Sequence, residues 1–174
     1  MISELEFFKL ILKKIYFMTI DIGLNQEQLQ GSIAILNQLL ADEFTLYVKA
    51  RNYHWNVVGP QFHDLHKFFE GLYEDLDDIV DEVAERSRSL NGFAIATLSD
   101  FVKITKLQEQ SGHDLNATQM VSNLLVDHEQ LIKSLRESIS KTQEEFGDAG
   151  TSDFLTGLME KHEKTAWMLR SMTA

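Results

Sequence analysis

A chain of 174 residues, 44% hydrophobic and 25% charged, can bury one real core and is too short to be expected to divide into two domains. Its lack of cysteine excludes disulfide scaffolds, thiolate metal sites and iron–sulfur clusters, and fits a reducing compartment, so a cytoplasmic location is expected. The formal charge of −11 opposes adhesion to nucleic acid or anionic lipid and draws small cations toward any acidic cavity.

One proline, nine glycines and long runs rich in Leu, Ile, Glu, Gln and Lys predict an all-α protein. The apolar stretch from Phe7 to Met18 is neither an export signal nor a membrane span: Glu4 and Glu6 precede it, Lys13 and Lys14 interrupt it, and no small-residue cleavage site follows. Met18 opens a second plausible start, so residues 1–17 read as a possible N-terminal extension and residues 18–174 as a single domain.

From Asn25 to about Asn56, Leu29, Ile33, Leu36, Leu40, Phe44, Tyr47 and Val48 recur three and four apart, the pattern of an amphipathic helix. Leu40, Tyr47 and His54 follow at sevens, which keeps His54 near the core side where Val57-Val58-Gly59-Pro60 breaks the helix. A second helix is predicted from just after Pro60 to about Leu90, with Leu65, Phe69, Leu72, Leu76, Ile79 and Val83 as its stripe and Asn91-Gly92 as its stop. Ser99 to Ile104 can form a short helix inside a long crossover. A third long helix follows from about Ala117 to Phe146 through Met120, Leu124, Leu131, Leu135 and Ile139, closed by Gly147-Asp148-Ala149-Gly150. The fourth runs from about Thr151 to Arg170 through Phe154, Leu158 and His162, with Trp167 and Met168 as bundle packing. Four long helices with one long crossover match the ferritin-like way of closing a four-helix bundle.

The second helix carries the chemistry. With Leu65 as zero, His66, Glu70, Asp81 and Glu85 fall at about 100°, 140°, 160° and 200°, a stripe turned away from the helix's apolar face. Acids such as Glu70, Glu74, Asp77, Asp78, Asp81 and Glu85 would ordinarily be a solvated face. Yet His66 with Glu70, and Asp81 with Glu85, are i, i+4 pairs, the spacing at which two side chains of one helix reach one ion. Imidazole and carboxylate together suit a first-row divalent metal. The two pairs are 15 residues apart, or about 22 Å of rise, so one ion cannot be held by both within one chain. If two copies of the helix pack antiparallel across a two-fold axis near residues 75 and 76, His66 and Glu70 of one chain meet Asp81 and Glu85 of the other, twice by symmetry. His54, at the end of the preceding helix, would join His66 of its own chain, with Trp55 beside it as an oxidisable aromatic.

His54-Trp55-Asn56-Val57-Val58-Gly59, followed by Leu65-His66-x-x-x-Glu70 and then Asp81-x-x-Ala84-Glu85-Arg86, resembles the Dps family of mini-ferritins. The resemblance implies a ferritin-like bundle with a short crossover helix, assembled into a hollow dodecamer built from two-fold dimers. It implies oxidation of iron from Fe(II) to Fe(III), preferably by hydrogen peroxide and otherwise by dioxygen, with ferric mineral stored inside. By position, His54, His66 and Glu70 would come from one subunit and Asp81 and Glu85 from its mate. Glu70 stands where many members carry aspartate. Asp148 and Asp153 fall where similar proteins place acids lining an iron-entry pore, although turn chemistry and helix capping explain them equally well.

His63 reads as a surface or interface residue, and His113, His128 and His162 as structural. The same ligands accept zinc or another divalent ion, so a zinc-binding shell is one alternative reading. A nucleoid DNA binder is another, and the sequence disfavours it: residues 1–30 hold three lysines against four acids, and the C-terminal end has no basic tail.

Overall fold

The computed structural model describes residues 20–110 and 115–173. Its helices are α1 Gln26–Asn56, α2 Phe62–Ser89, α3 Leu98–Ile104, α4 Ala117–Glu144 and α5 Ala149–Met172, with no strand among the described residues. The expected all-α bundle, with a short helix in the crossover, is therefore the observed one. The extension proposed for residues 1–17 and the structural reading of His113 lie outside the described residues.

Helix ends follow local chemistry. Asn25 caps α1 in a capping box with Gln28, and Asn116 caps α4 in the same way with Gln119. α2 stops in a Schellman motif: Asn91 takes the left-handed conformation at φ 63°, its N–H donates to Arg88 O, and Gly92 N–H donates to Ser87 O. Gly92 is needed for space, since a Cβ there would lie 2.8 Å from Ile33 and from Ser87 Oγ. α5 starts at Ala149, two residues before the expected Thr151, because the Asp148 carboxylate accepts from Thr151 N–H at 2.9 Å and so recruits one more half-turn. α4 ends at Glu144, short of the expected Phe146. Phe146 instead lays its ring over Gly31 of α1, where a Cβ would overlap it.

α1 and α2 pack antiparallel, with His54 meeting His66 at one end and Ile33 meeting Gly92 at the other. α4 and α5 do the same, tied by ion pairs of Arg136 with Glu163 and Arg170 with Glu129. The core between these hairpins includes Leu36, Leu40 and Tyr53 of α1, Phe69 and Leu76 of α2, Leu124 and Leu131 of α4, and Leu155 and Leu158 of α5. Each such leucine contributes about 1.5–3 kcal/mol by leaving water. The whole α2 stripe is buried, as its periodicity predicts.

α1 departs from a simple stripe because α2, α3 and α4 all pack on it. Phe44 stacks on Phe101 of α3 at 4.5 Å between centroids, and Asp42 accepts from Thr105 hydroxyl at 2.9 Å and Lys106 N–H at 2.6 Å, which pins the crossover. Trp167 corrects an expectation: it is 61% exposed, because Ala166 and Leu169 take the inward positions of that turn, while Met168 is half-buried.

Candidate metal half-sites on α1 and α2

α1 ends where Val57 turns extended, and the short Gly59-Pro60 link brings the start of α2 back beside it. This sets His54 and His66 against each other. His54 Nδ1 lies 2.9 Å from His66 O, and His66 Nδ1 lies 2.8 Å from His54 O. A carbonyl oxygen only accepts, so each Nδ1 donates its N–H, and in the neutral ring each Nε2 keeps a free lone pair. The rings stack at 3.8 Å and 21°, Phe62 stacks on His66 at 5.0 Å, and Tyr73 meets His54 edge-on at 5.2 Å. Neither imidazole can turn without breaking a hydrogen bond to backbone, the arrangement expected of metal ligands oriented from behind.

Glu70 lies one turn beyond His66, near enough for both rings to act on its charge. Lys67 Nζ sits 2.5 Å from Glu70 Oε2, and this hydrogen bond holds the carboxyl below its usual range. Asp81 and Glu85 are exposed on the other half of α2, with no hydrogen bond or ion pair among the described residues. Within one protomer no group of three or more His, Asp or Glu among the described residues converges to hold an ion. His54, His66 and Glu70 thus form one cluster, and Asp81 with Glu85 a separate one.

Trp55 is 67% exposed beside the histidines, with the Arg51 guanidinium 6.0 Å from its ring centroid. His63 is exposed and pairs with Asp64. Asp148 is buried and committed to its cap: Thr151 donates from its amide and from its hydroxyl at 2.6 Å, and Arg86 Nη2 approaches at 3.3 Å. Burial pushes this carboxyl up, but the Thr151 bonds, Ser32 and Arg86 outweigh it and leave it below the usual range. Asp153 is exposed.

His128 and His162, expected to be structural, join Glu43, which the sequence analysis did not single out, in a buried polar chain at the bundle centre. His128 Nδ1 and His162 Nδ1 are 2.9 Å apart, and His162 Nε2 lies 2.8 Å from Glu43 Oε1. Glu43 Oε2 and His128 Nε2 have no partner among the described residues. The signal was available: Glu43 stands seven after Leu36 and three after Leu40, an acid on a core stripe. Nearby, Lys49 and Asp127 form a second buried pair at 2.5 Å.

Residues 33–174 match the ferritin-like domain family. Over 139 residues the chain is 37% identical to DNA protection during starvation protein 2 of Bacillus anthracis, covering 80% of this chain and 94% of that protein. The chain belongs to the Dps family. An uncharacterized low temperature-induced protein of Nostoc sp. is 53% identical over 152 residues, covering 87% of this chain and 85% of that one. The Dps protein of Vibrio cholerae O1, described as a member of a broad superfamily of ferritin-like diiron-carboxylate proteins, superposes with a TM-score of 0.84 at 31% identity, covering 90% of this chain and 97% of that one. Like the Dps fold in that structure, this one is all-α, and none of its described helices is long and apolar enough to cross a membrane.

Proposed function

We propose that this Dps-family chain oxidises iron from Fe(II) to Fe(III) at sites shared between two subunits, and stores the product as ferric mineral inside a dodecameric shell. The observation that carries this reading is the reciprocal Nδ1–carbonyl lock on His54 and His66, which leaves two parallel imidazoles with open Nε2 atoms. Exposed Val58, Phe62 and Trp55 beside the pair favour its burial against a second protomer. Asp81 and Glu85, free of intrachain partners, supply the carboxylates from that protomer's α2 across the two-fold axis.

Iron is the substrate. Two Fe(II) ions give one electron each to hydrogen peroxide, and two protons complete the products, so that about one peroxide is consumed per two Fe(II) and both oxygen atoms leave as water. The anionic carboxylates favour the more highly charged ferric product, and pairing the two electrons avoids release of hydroxyl radical. In this mechanism His54 and His66 bind through Nε2, Glu70, Asp81 and Glu85 offset the added charge, and the Phe62 and Tyr73 rings hold the imidazoles in place. Zinc is a competing ligand of the same donors rather than the favoured cargo, and direct DNA binding is disfavoured by the acidic chain.

The test adds peroxide to anaerobic Fe(II)-loaded protein. The wild type should consume about one peroxide per two Fe(II) without detectable radical, and His66→Ala should lose this reaction. Equal consumption by both proteins would overturn the proposal.

A further inference from the structure

Of the acids assigned to the shared site, Glu70 alone belongs to the half-site of His54 and His66, and one of its oxygens already carries a cation. Lys67, one turn earlier on α2, places Nζ 2.5 Å from Glu70 Oε2. The Lys67 side chain is 60% exposed and that of Glu70 30%, so the ammonium can swing into water when something displaces it. Asp81 and Glu85 have no such resident partner among the described residues. The two halves of the site therefore differ: one acid pair is free, and the other acid is neutralised in advance.

We propose that Lys67 is a built-in competitor for Glu70, which an incoming divalent ion must displace, and that it thereby sets the affinity of the Glu70 side of the site. This rests on the reading of His54, His66 and Glu70 as ligands. The length of Glu70 is part of the device. An aspartate would draw the carboxylate back by about 1.5 Å, one carbon–carbon bond, and so stretch and weaken its contact with the Lys67 ammonium. Exposed pairs of this kind are weak, so the competitor tunes affinity without blocking the site. Lys67 also acts on the ion by simple repulsion across water, and that effect is independent of which acid occupies position 70.

Zinc binding separates the two effects. Isotherms of Zn(II) alone are measured on the assembled full-length protein for the wild type, Lys67→Gln, Glu70→Asp and the double variant. Lys67→Gln should tighten zinc binding by about two- to five-fold in the wild type and by less than about two-fold in the Glu70→Asp background. Lys67→Arg, which keeps a cation beside Glu70, should not show the tightening expected of Lys67→Gln. An equal gain in both backgrounds would reduce Lys67 to a remote repulsive charge, and no gain in the wild type would remove its role; either result overturns the proposal. His66→Ala is the separate control: if it leaves the zinc isotherm intact, the ligand assignment fails whatever Lys67 does.

Discussion

Glu43, His162 and His128 are three ionisable side chains in a place where leucine would pack, and each is at most 1% exposed. Removing one member strands the others. His162→Ala leaves the Glu43 side chain buried without its one partner, and should lower stability by about 3–5 kcal/mol in urea unfolding. Burial, and secondarily the neighbouring His162, hold the His128 pKa well below the ordinary histidine value of 6.5. The folded protein thus refuses a proton that the unfolded chain accepts. Stability is unaffected by this group above about pH 6.5 and falls as pH drops below it, by at most about 1.4 kcal/mol per pH unit, until the folded-state pKa is reached. His128→Phe should remove that part of the acid sensitivity, seen as a flatter dependence of the urea midpoint between neutral and mildly acid pH. The sequence shows Glu43 and His162 at core positions of their own helices, but their pairing spans 119 residues, and no local pattern encodes it.

At the scale of elements, the long helices begin and end within about two residues of the expected places, because capping is local chemistry written in Asn25, Asn116 and Asn91. The two-residue departures sit at the link between α4 and α5, where Phe146 packs over Gly31 and Asp148 caps α5. Asp148 extends α5 backwards and also receives Arg86 from the last turn of α2, while Arg86 Nε and Nη2 both donate to Thr151 Oγ at 3.1 and 2.9 Å. One carboxylate therefore starts a helix and joins the two hairpins. Asp148→Ala should cost about 1–2 kcal/mol, more than loss of an exposed cap, and Asp148→Asn should recover part of it by keeping the bond to Thr151 N–H. Thermal unfolding of the three proteins side by side distinguishes this anchoring role from a surface acid, whose removal would change stability by less than about 0.5 kcal/mol. Trp167 shows the opposite limit of sequence reading: a large apolar residue at helical spacing was expected inside, and geometry on α5 gave the inward place to smaller Ala166.

The candidate ligands of α2 acquire meaning only at the scale of the whole molecule. Helical spacing alone separates His66 from Asp81 by about 22 Å, and the protomer keeps the two clusters apart, with no converging group among its described residues. Which face of α2 meets a partner is not written in any one stripe, since an acidic face reads equally well as solvated. Sharing across a two-fold axis makes a prediction that an intrachain site cannot imitate. His66→Ala alone spoils the imidazole half, and Asp81→Asn with Glu85→Gln spoils the carboxylate half, so assemblies of either variant should be inactive. In a mixed dimer one site inherits both defects and the other inherits none. Random assembly makes about half of all dimers mixed, with one working site of two, so co-expressed variants should recover about one quarter of the wild-type Fe(II) oxidation rate. Mixing the separately assembled proteins should recover nothing until subunits exchange. Recovery on co-expression alone shows that the site lies between chains, whereas a co-expressed mixture as inactive as its parts would return the chemistry to the single protomer.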